Sequence, residues 1–326
     1  MFLPIRRERH RWMRARLVAV PMLFALAAVG CAGSGGVQRP PVTGAAAEAV
    51  AEPVLVELPS YPGVTVLEDE QYATAGGEPL LLDVCLPPEA PDGSPGLRAA
   101  VVSIHGGSWS RGDKTDPHWR NVCEWLASDG FVVFSINYRL APEWTFPAQP
   151  DDVRSAVAWI REPEQLRAFS VDPARIGAFG GSAGGNLAAL LGTEGTGPLT
   201  EGTRVAAVAE LSGPADLTGS AASGPVAADF ARVQASYLGC LEAPSCDAAE
   251  PASPLSWIDP TDPPFFIGHA ANERIPLAQS RTFAAALEAA GVPVQLAVVD
   301  GMLHSVALLN EPMRVAIRDF FLRELG

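Results

Sequence analysis

The sequence predicts an α/β fold, a mostly parallel sheet with helices on both faces. Three observations lead there. From residue 64 onward, short apolar runs alternate with stretches of helical period. The segment Gly180-Gly181-Ser182-Ala183-Gly184, a G-x-S-x-G pattern, stands between an apolar run and a helical stretch. A glycine pair, His105-Gly106-Gly107, directly follows another apolar run.

The elements follow in order. Residues 64–72 and 80–86 read as a strand pair turned by Gly76-Gly77. Residues 99–104, apolar but for Ser103, read as a strand buried on both faces. Residues 121–128 read as a helix ending near Gly130, and 131–136 as the next apolar strand. Helix is expected over 151–161, a short strand over 176–179, and a helix opening at 186–191. Strands at 205–211 and 265–267 come next. A helix over 277–290 stops at Gly291, a last strand covers 294–299, and a last helix covers 313–325. Residues 214–264 break this rhythm with short helical patches and many prolines. An insertion of that length is usually functional, and it is read as a cap over the site.

The chain has 326 residues, 48 % hydrophobic and 18 % charged, enough for one large core. Its net charge of −14 argues against nucleic acid, which needs a basic surface. The N-terminus runs against this balance. Residues 1–30 hold six arginines and one glutamate, followed at 17–29 by thirteen apolar residues. That run is short for a membrane span and suits a signal peptide. Ala28-Val29-Gly30-Cys31 resembles a bacterial lipobox, so Cys31 is the expected lipidation site and mature N-terminus. Residues 31–60, rich in Gly, Ala, Pro and Val without a period, read as a flexible tether, and 61–326 as the folded domain. The expected location is the bacterial cell envelope, with the lipid anchor as the membrane contact.

Export makes disulfides possible. Cys240 and Cys246 lie close enough in sequence to close a short loop and are expected to bond. Cys85, in a strand pattern, and Cys123, in a helix pattern, fit equally well as small buried apolar residues.

Ser182 is the candidate nucleophile. A strand–elbow–helix holds such a serine in a strained turn, with glycines where a Cβ would collide. A phosphate loop would want a lysine after the glycines, and none is there. The loop after residues 99–104 can present backbone N–H groups to a developing oxyanion. The candidate donors are the amides of Gly107, Ser108 and Ala183, with Gly106 as the alternative; His105 is read as orienting the loop. The general base should come late in the chain. His304 in Asp300-Gly301-Met302-Leu303-His304 fits, with His269 as the rival. The acid should follow the strand at 265–267, where Glu273 is the one carboxylate; its other reading is a surface partner of Arg274. Trp109, Trp144 and Phe146 are candidates for lining the pocket or for core.

Taken together these residues resemble the hormone-sensitive-lipase-like and feruloyl-esterase-like branch of the α/β-hydrolases. The matches include His105-Gly106-Gly107, Asn137-Tyr138-Arg139-Leu140-Ala141-Pro142-Glu143, Asp151-Asp152-Val153 and Gly181-Ser182-Ala183-Gly184-Gly185-Asn186, with Gly301 and His304. The resemblance implies hydrolysis of a small-molecule carboxylic ester through an acyl-enzyme, with no metal or organic cofactor. Two features depart from it. Ser108 replaces a frequent third glycine, giving an H-G-G-x-W form shared with formamidases and keeping amide hydrolysis open. Asn272 stands where one family pattern has aspartate, which leaves Glu273 to serve. A non-catalytic binding protein on the same scaffold is the alternative of another class.

Overall fold

The computed structural model describes residues 59–89, 96–219, 225–241 and 246–326. The signal peptide, Cys31 and the tether up to residue 58 lie outside the described residues, as do two stretches of the 214–264 segment.

Eight strands form one sheet in the order β1-β2-β4-β3-β5-β6-β7-β8. A hairpin opens it: β1 (Thr65–Ala75) pairs antiparallel with β2 (Glu78–Leu86). β2 then pairs antiparallel with β4 (Val132–Ile136), which lies parallel to β3 (Arg98–Ile104). From there β5 (Val171–Gly181), β6 (Ala207–Leu211), β7 (Phe265–Ala270) and β8 (Val294–Val299) continue in parallel. The parallel core strands are buried on both faces, which is why they read as largely apolar runs, with single polar residues such as Ser103 and Glu210 buried among them.

Alternate residues of these strands feed two cores. Val102, Ile104, Val132 and Phe134 face one layer, with Val153 and Val157 of α2 (Ala148–Ile160), Leu187 of α4 (Ala183–Thr193) and Phe283 of α6 (Leu277–Ala290). Val101, Val133, Phe179 and Phe266 face the other, with Trp125 of α1 (Pro117–Ser128) and Phe320 and Phe321 of α7 (Glu311–Leu325). Burying each large side chain here stabilises the fold by about 1.5–3 kcal/mol. α4 is buried along its whole length, so its sequence is apolar and small all round rather than amphipathic.

Helix ends explain where the sequence reading stopped short. α1 starts at Pro117, earlier than residue 121, because Asp116 caps it by accepting from His118 N at 3.0 Å and proline suits the first turn. Asn310 caps α7 in the same way, accepting from Met313 N at 3.0 Å. A six-residue helix, α3 (Pro163–Ala168), has no buried residue and so left no periodic trace. Within the 214–264 segment, α5 spans Pro225–Tyr237.

Polar side chains fix the loops at the C-terminal strand ends. Arg139, just beyond β4, forks onto Asp152 of α2, with the closest contact 2.7 Å. Lys114, the only lysine, is buried with Nζ 2.7 Å from both Asp69 and Asp83. Cys85 on β2 is bonded to Cys123 on α1, and Cys240 to Cys246. The second pair is the one expected from spacing; the first joins the strand and helix cysteines that the sequence left unassigned.

Candidate active site

Ser182 stands between β5 and α4 with φ 57° and ψ −121°, a conformation costly for a residue with a Cβ. The flanking glycines make that turn possible. A Cβ on Gly180 would lie 2.1 Å from the Gly184 carbonyl oxygen, and one on Gly184 would lie 2.0 Å from that of Ile104. Backbone bonds hold the elbow: Ser182 N donates to Leu211 O at 2.8 Å, and Asn186 N donates to Ser182 O at 3.0 Å. Strain gathers around this point. Ser108, Trp109, Ser212 and Ser305 also have positive φ, and each belongs to a loop at the same end of the sheet.

The loop after β3 meets the elbow. His105 is buried and stacked on Tyr138 with ring centroids 4.3 Å apart, and its Nδ1 lies 2.8 Å from the Gly106 carbonyl oxygen. The Tyr138 hydroxyl donates to His105 O at 2.9 Å. Burial lowers the His105 pKa despite the Gly106 carbonyl, so the ring is neutral and holds the loop. Gly107, at φ +123°, turns its carbonyl to the amides of Ser110 and Arg111. Its own N–H and that of Ser108 donate to no backbone carbonyl among the described residues. Ala183 opens α4, where the first N–H groups have no helical acceptor. Gly106 and Gly107 border one cavity beside Ser182; Ser108 and Ala183 border another.

His304 borders the first of these cavities together with Ser182. Its Nδ1 is hydrogen-bonded to Glu273 Oε2, and its Nε2 is buried with no partner among the described residues. The Glu273 side chain has no exposure. Burial alone would raise its pKa. His269, His304 and the Ser212 hydroxyl more than offset this and bring it down to about 2. Glu273 is therefore ionised at neutral pH, and Arg274 makes no ion pair with it.

His269, the rival base, borders neither cavity and is fully buried. Ser280 Oγ lies 2.8 Å from its Nδ1, and Nε2 faces two oxygens that only accept, so Nε2 carries a proton. That N–H points to Ile275 O at 2.9 Å, and Glu273 Oε1 lies 2.9 Å from the same nitrogen. Burial lowers the His269 pKa, but the Glu273 carboxylate raises it further, so the net shift is upward. Below lies Glu210 at the end of β6, buried, with Oε2 accepting from Gly213 N at 2.6 Å. Burial pushes this carboxyl up to about 8, and nearby Glu273 adds to the shift while Gly213 and His269 oppose it. The two carboxyls are driven apart, one ionised and one protonated at neutral pH. Glu210, Ser212 and His269 were not singled out as acid-side residues by the sequence.

The cavity bordered by Ser108 and Ala183 has a volume of ≈ 260 Å³ and is lined further by Trp109, Pro214, Ile275 and two residues of α5, Phe230 and Val233. Trp109 stacks on Tyr237 at 4.3 Å and donates Nε1–H to Asn186 Oδ1 at 3.2 Å. Trp144 and Phe146 border neither cavity: Trp144 lies under the Arg139 guanidinium and Phe146 packs edge-on against Tyr237. Among the described residues no cluster could hold a metal ion.

The arrangement can carry out acyl transfer: a strained hydroxyl, an imidazole with its far nitrogen free, a buried carboxylate behind it, and N–H groups on either side. Comparison with known proteins agrees in kind. Residues 82–287 match the BD-FAE family model. Esterase LipQ of Mycobacterium tuberculosis is 34 % identical over 262 residues, covering 76 % of this chain and 60 % of LipQ. This chain thus spans less than two thirds of LipQ's length. Ethyl acetate hydrolase of Pseudomonas putida is 31 % identical over 261 residues, 73 % of this chain and 74 % of that protein. The solved esterase 2 of Thermogutta terrifontis superposes with a TM-score of 0.63 at 27 % identity, covering 82 % of this chain and 94 % of that one. The same esterase phosphonylated by sarin gives 0.66 at 26 % identity, covering 82 % and 97 %.

Proposed function

The chain belongs to the BD-FAE family of α/β-hydrolases, and on that premise we propose that it is a serine carboxylesterase acting through Ser182, His304 and Glu273. The observation that carries the reading is His304 itself. Its Nδ1 is committed to a buried carboxylate, while its Nε2 is unpartnered in a cavity wall shared with Ser182. A general base needs that division of labour.

In the proposed cycle, His304 Nε2 takes the Ser182 proton as Oγ attacks the ester carbonyl. The amides of Gly107, Ser108 and Ala183 receive the oxyanion. Glu273 holds the Nδ1–H tautomer and offsets the imidazolium charge. His304 then returns the proton to the leaving alcohol, and water releases the acid by the same route. The segment 214–264, whose Pro214, Phe230 and Val233 border the cavity, serves as the cap that sets acyl length. The names of the relatives, an ethyl acetate hydrolase and a sarin-reactive esterase, support small esters and an activated serine.

Ser182→Ala should abolish hydrolysis of short p-nitrophenyl esters and labelling by a fluorophosphonate probe, with the melting temperature retained. Ester hydrolysis that survives the change would sink the assignment. We further propose that residues 1–30 direct export and that a lipid on Cys31 anchors the enzyme, on the basic flank, the apolar run and the lipobox-like residues. Metabolic palmitate labelling should mark the chain and be lost in Cys31→Ser; equal labelling of both forms would reject the anchor.

A further inference from the structure

Two arginines stand beside the proposed nucleophile without a partner. Arg111 and Arg274 each border both cavities that meet at Ser182. Their backbones are fixed to the machinery. Arg111 N donates to Gly107 O at 3.1 Å, and Arg274 directly follows Glu273. Both are exposed, and neither side chain makes a hydrogen bond or ion pair among the described residues. Among the described residues Arg120, Arg139, Arg154 and Arg175 are paired, whereas exposed Arg167 and Arg281 are not, so what sets Arg111 and Arg274 apart is their place on both cavities beside Ser182. Acidic residues outnumber Lys and Arg by 37 to 23, so carboxylates for two more pairs are plentiful. Among the described residues the only carboxylate bordering either cavity is Asp116, and its Oδ1 is engaged as the cap of α1, with His118 Nδ1 3.5 Å from the same oxygen.

We propose that the substrate is an ester bearing a carboxylate near the scissile bond, and that Arg111 and Arg274 receive that charge. The inference rests on the esterase reading and names its substrate class. A guanidinium offers a planar fork of donors that matches a carboxylate. In open water such a contact is weak, but a substrate filling these cavities displaces water from between the charges and strengthens it. The second half of the ester is apolar in this scheme, because Trp109, Phe230, Val233 and Ile275 line the ≈ 260 Å³ cavity along with the two arginines.

Matched ester pairs test this on the full chain. On the acyl side, p-nitrophenyl hemisuccinate is compared with p-nitrophenyl butyrate, which shares its leaving group. On the alcohol side, 3-carboxyphenyl acetate is compared with 3-carbamoylphenyl acetate. In one arm the anionic ester should exceed its neutral partner in kcat/KM by about tenfold, and the ratio should fall as salt rises. Arg111→Gln and Arg274→Gln should each lower that ratio about three- to fivefold, and the double variant about tenfold or more. A ratio at or below one in both arms, or one that the double variant leaves unchanged, overturns the inference. Turnover of the neutral esters in that case leaves the esterase reading standing. If no ester is turned over and the fluorophosphonate probe leaves Ser182 unlabelled, that reading falls and takes this one with it.

Discussion

Glu210→Gln should make the protein more stable at alkaline pH than the unaltered chain. Glu210 is 1 % exposed, and its carboxyl is raised from 4.5 to about 8, by burial first and by Glu273 second. In the unfolded chain it titrates normally. Between pH 4.5 and 8 the folded state therefore holds a proton that the unfolded state has released. Stability from this group is full below 4.5 and is lost as pH rises, by up to about 1.4 kcal/mol per pH unit. Across the whole window that is about 5 kcal/mol. Glutamine keeps the oxygen that accepts from Gly213 N and has no proton to lose. The assay is denaturant unfolding of both forms at several values from pH 5 to pH 9, with disulfides intact. The variant's advantage over the unaltered chain should grow by about 3 kcal/mol between pH 5 and pH 7, or about 5 °C or more in Tm. Parallel stability curves across that range would refute the buried, protonated state of Glu210.

Two further predictions concern neighbouring groups. In Glu273→Gln, the carboxylate held at about 2 instead of 4.5 by its neighbours is gone, a difference of about 3 kcal/mol. With about half of that felt by the His304 imidazolium and the rest by His269 and Ser212, kcat should fall by about tenfold with KM little changed, as steady-state kinetics would read; a loss under threefold would remove Glu273 from the triad. For the disulfides, loop closure over 38 residues is worth about 4 kcal/mol and over 6 residues about 2 kcal/mol. Unfolding curves of Cys85→Ala/Cys123→Ala should therefore shift about twice as far as those of Cys240→Ala/Cys246→Ala, and equal shifts would contradict the loop-length account.

The fold was legible where burial wrote a pattern. β3, β4, β6 and β7 are sealed on both faces, so their residues are mostly apolar, and of the polar ones among them Ser103, Ser135, Glu210 and His269 are buried too. α3 has no fully buried residue, only Leu166 packing partly against the core, and left no periodic trace. Ser182 announced itself because the elbow leaves no room for a Cβ at Gly180 or Gly184, a constraint that appears in sequence as glycine. Glu273 could be named only by position, as the one carboxylate in a short segment. Its neighbours could not be named. Ser212 and His269 reach it from the ends of β6 and β7, and their meeting depends on a register that pairs Leu211 with Gly268. Likewise Cys85 and Cys123, 38 residues apart, meet only because α1 packs on the sheet beside β2.

The chain's single lysine lies where solvent barely reaches it, closed in by Asp69 and Asp83. Reagents that acylate or cross-link ε-amines thus find nothing to attack on the folded domain. Amine-directed immobilisation or fixation would act through the α-amino group or not at all. Acylation at Lys114 would instead count molecules that have opened, one residue reporting on the integrity of the whole sheet edge.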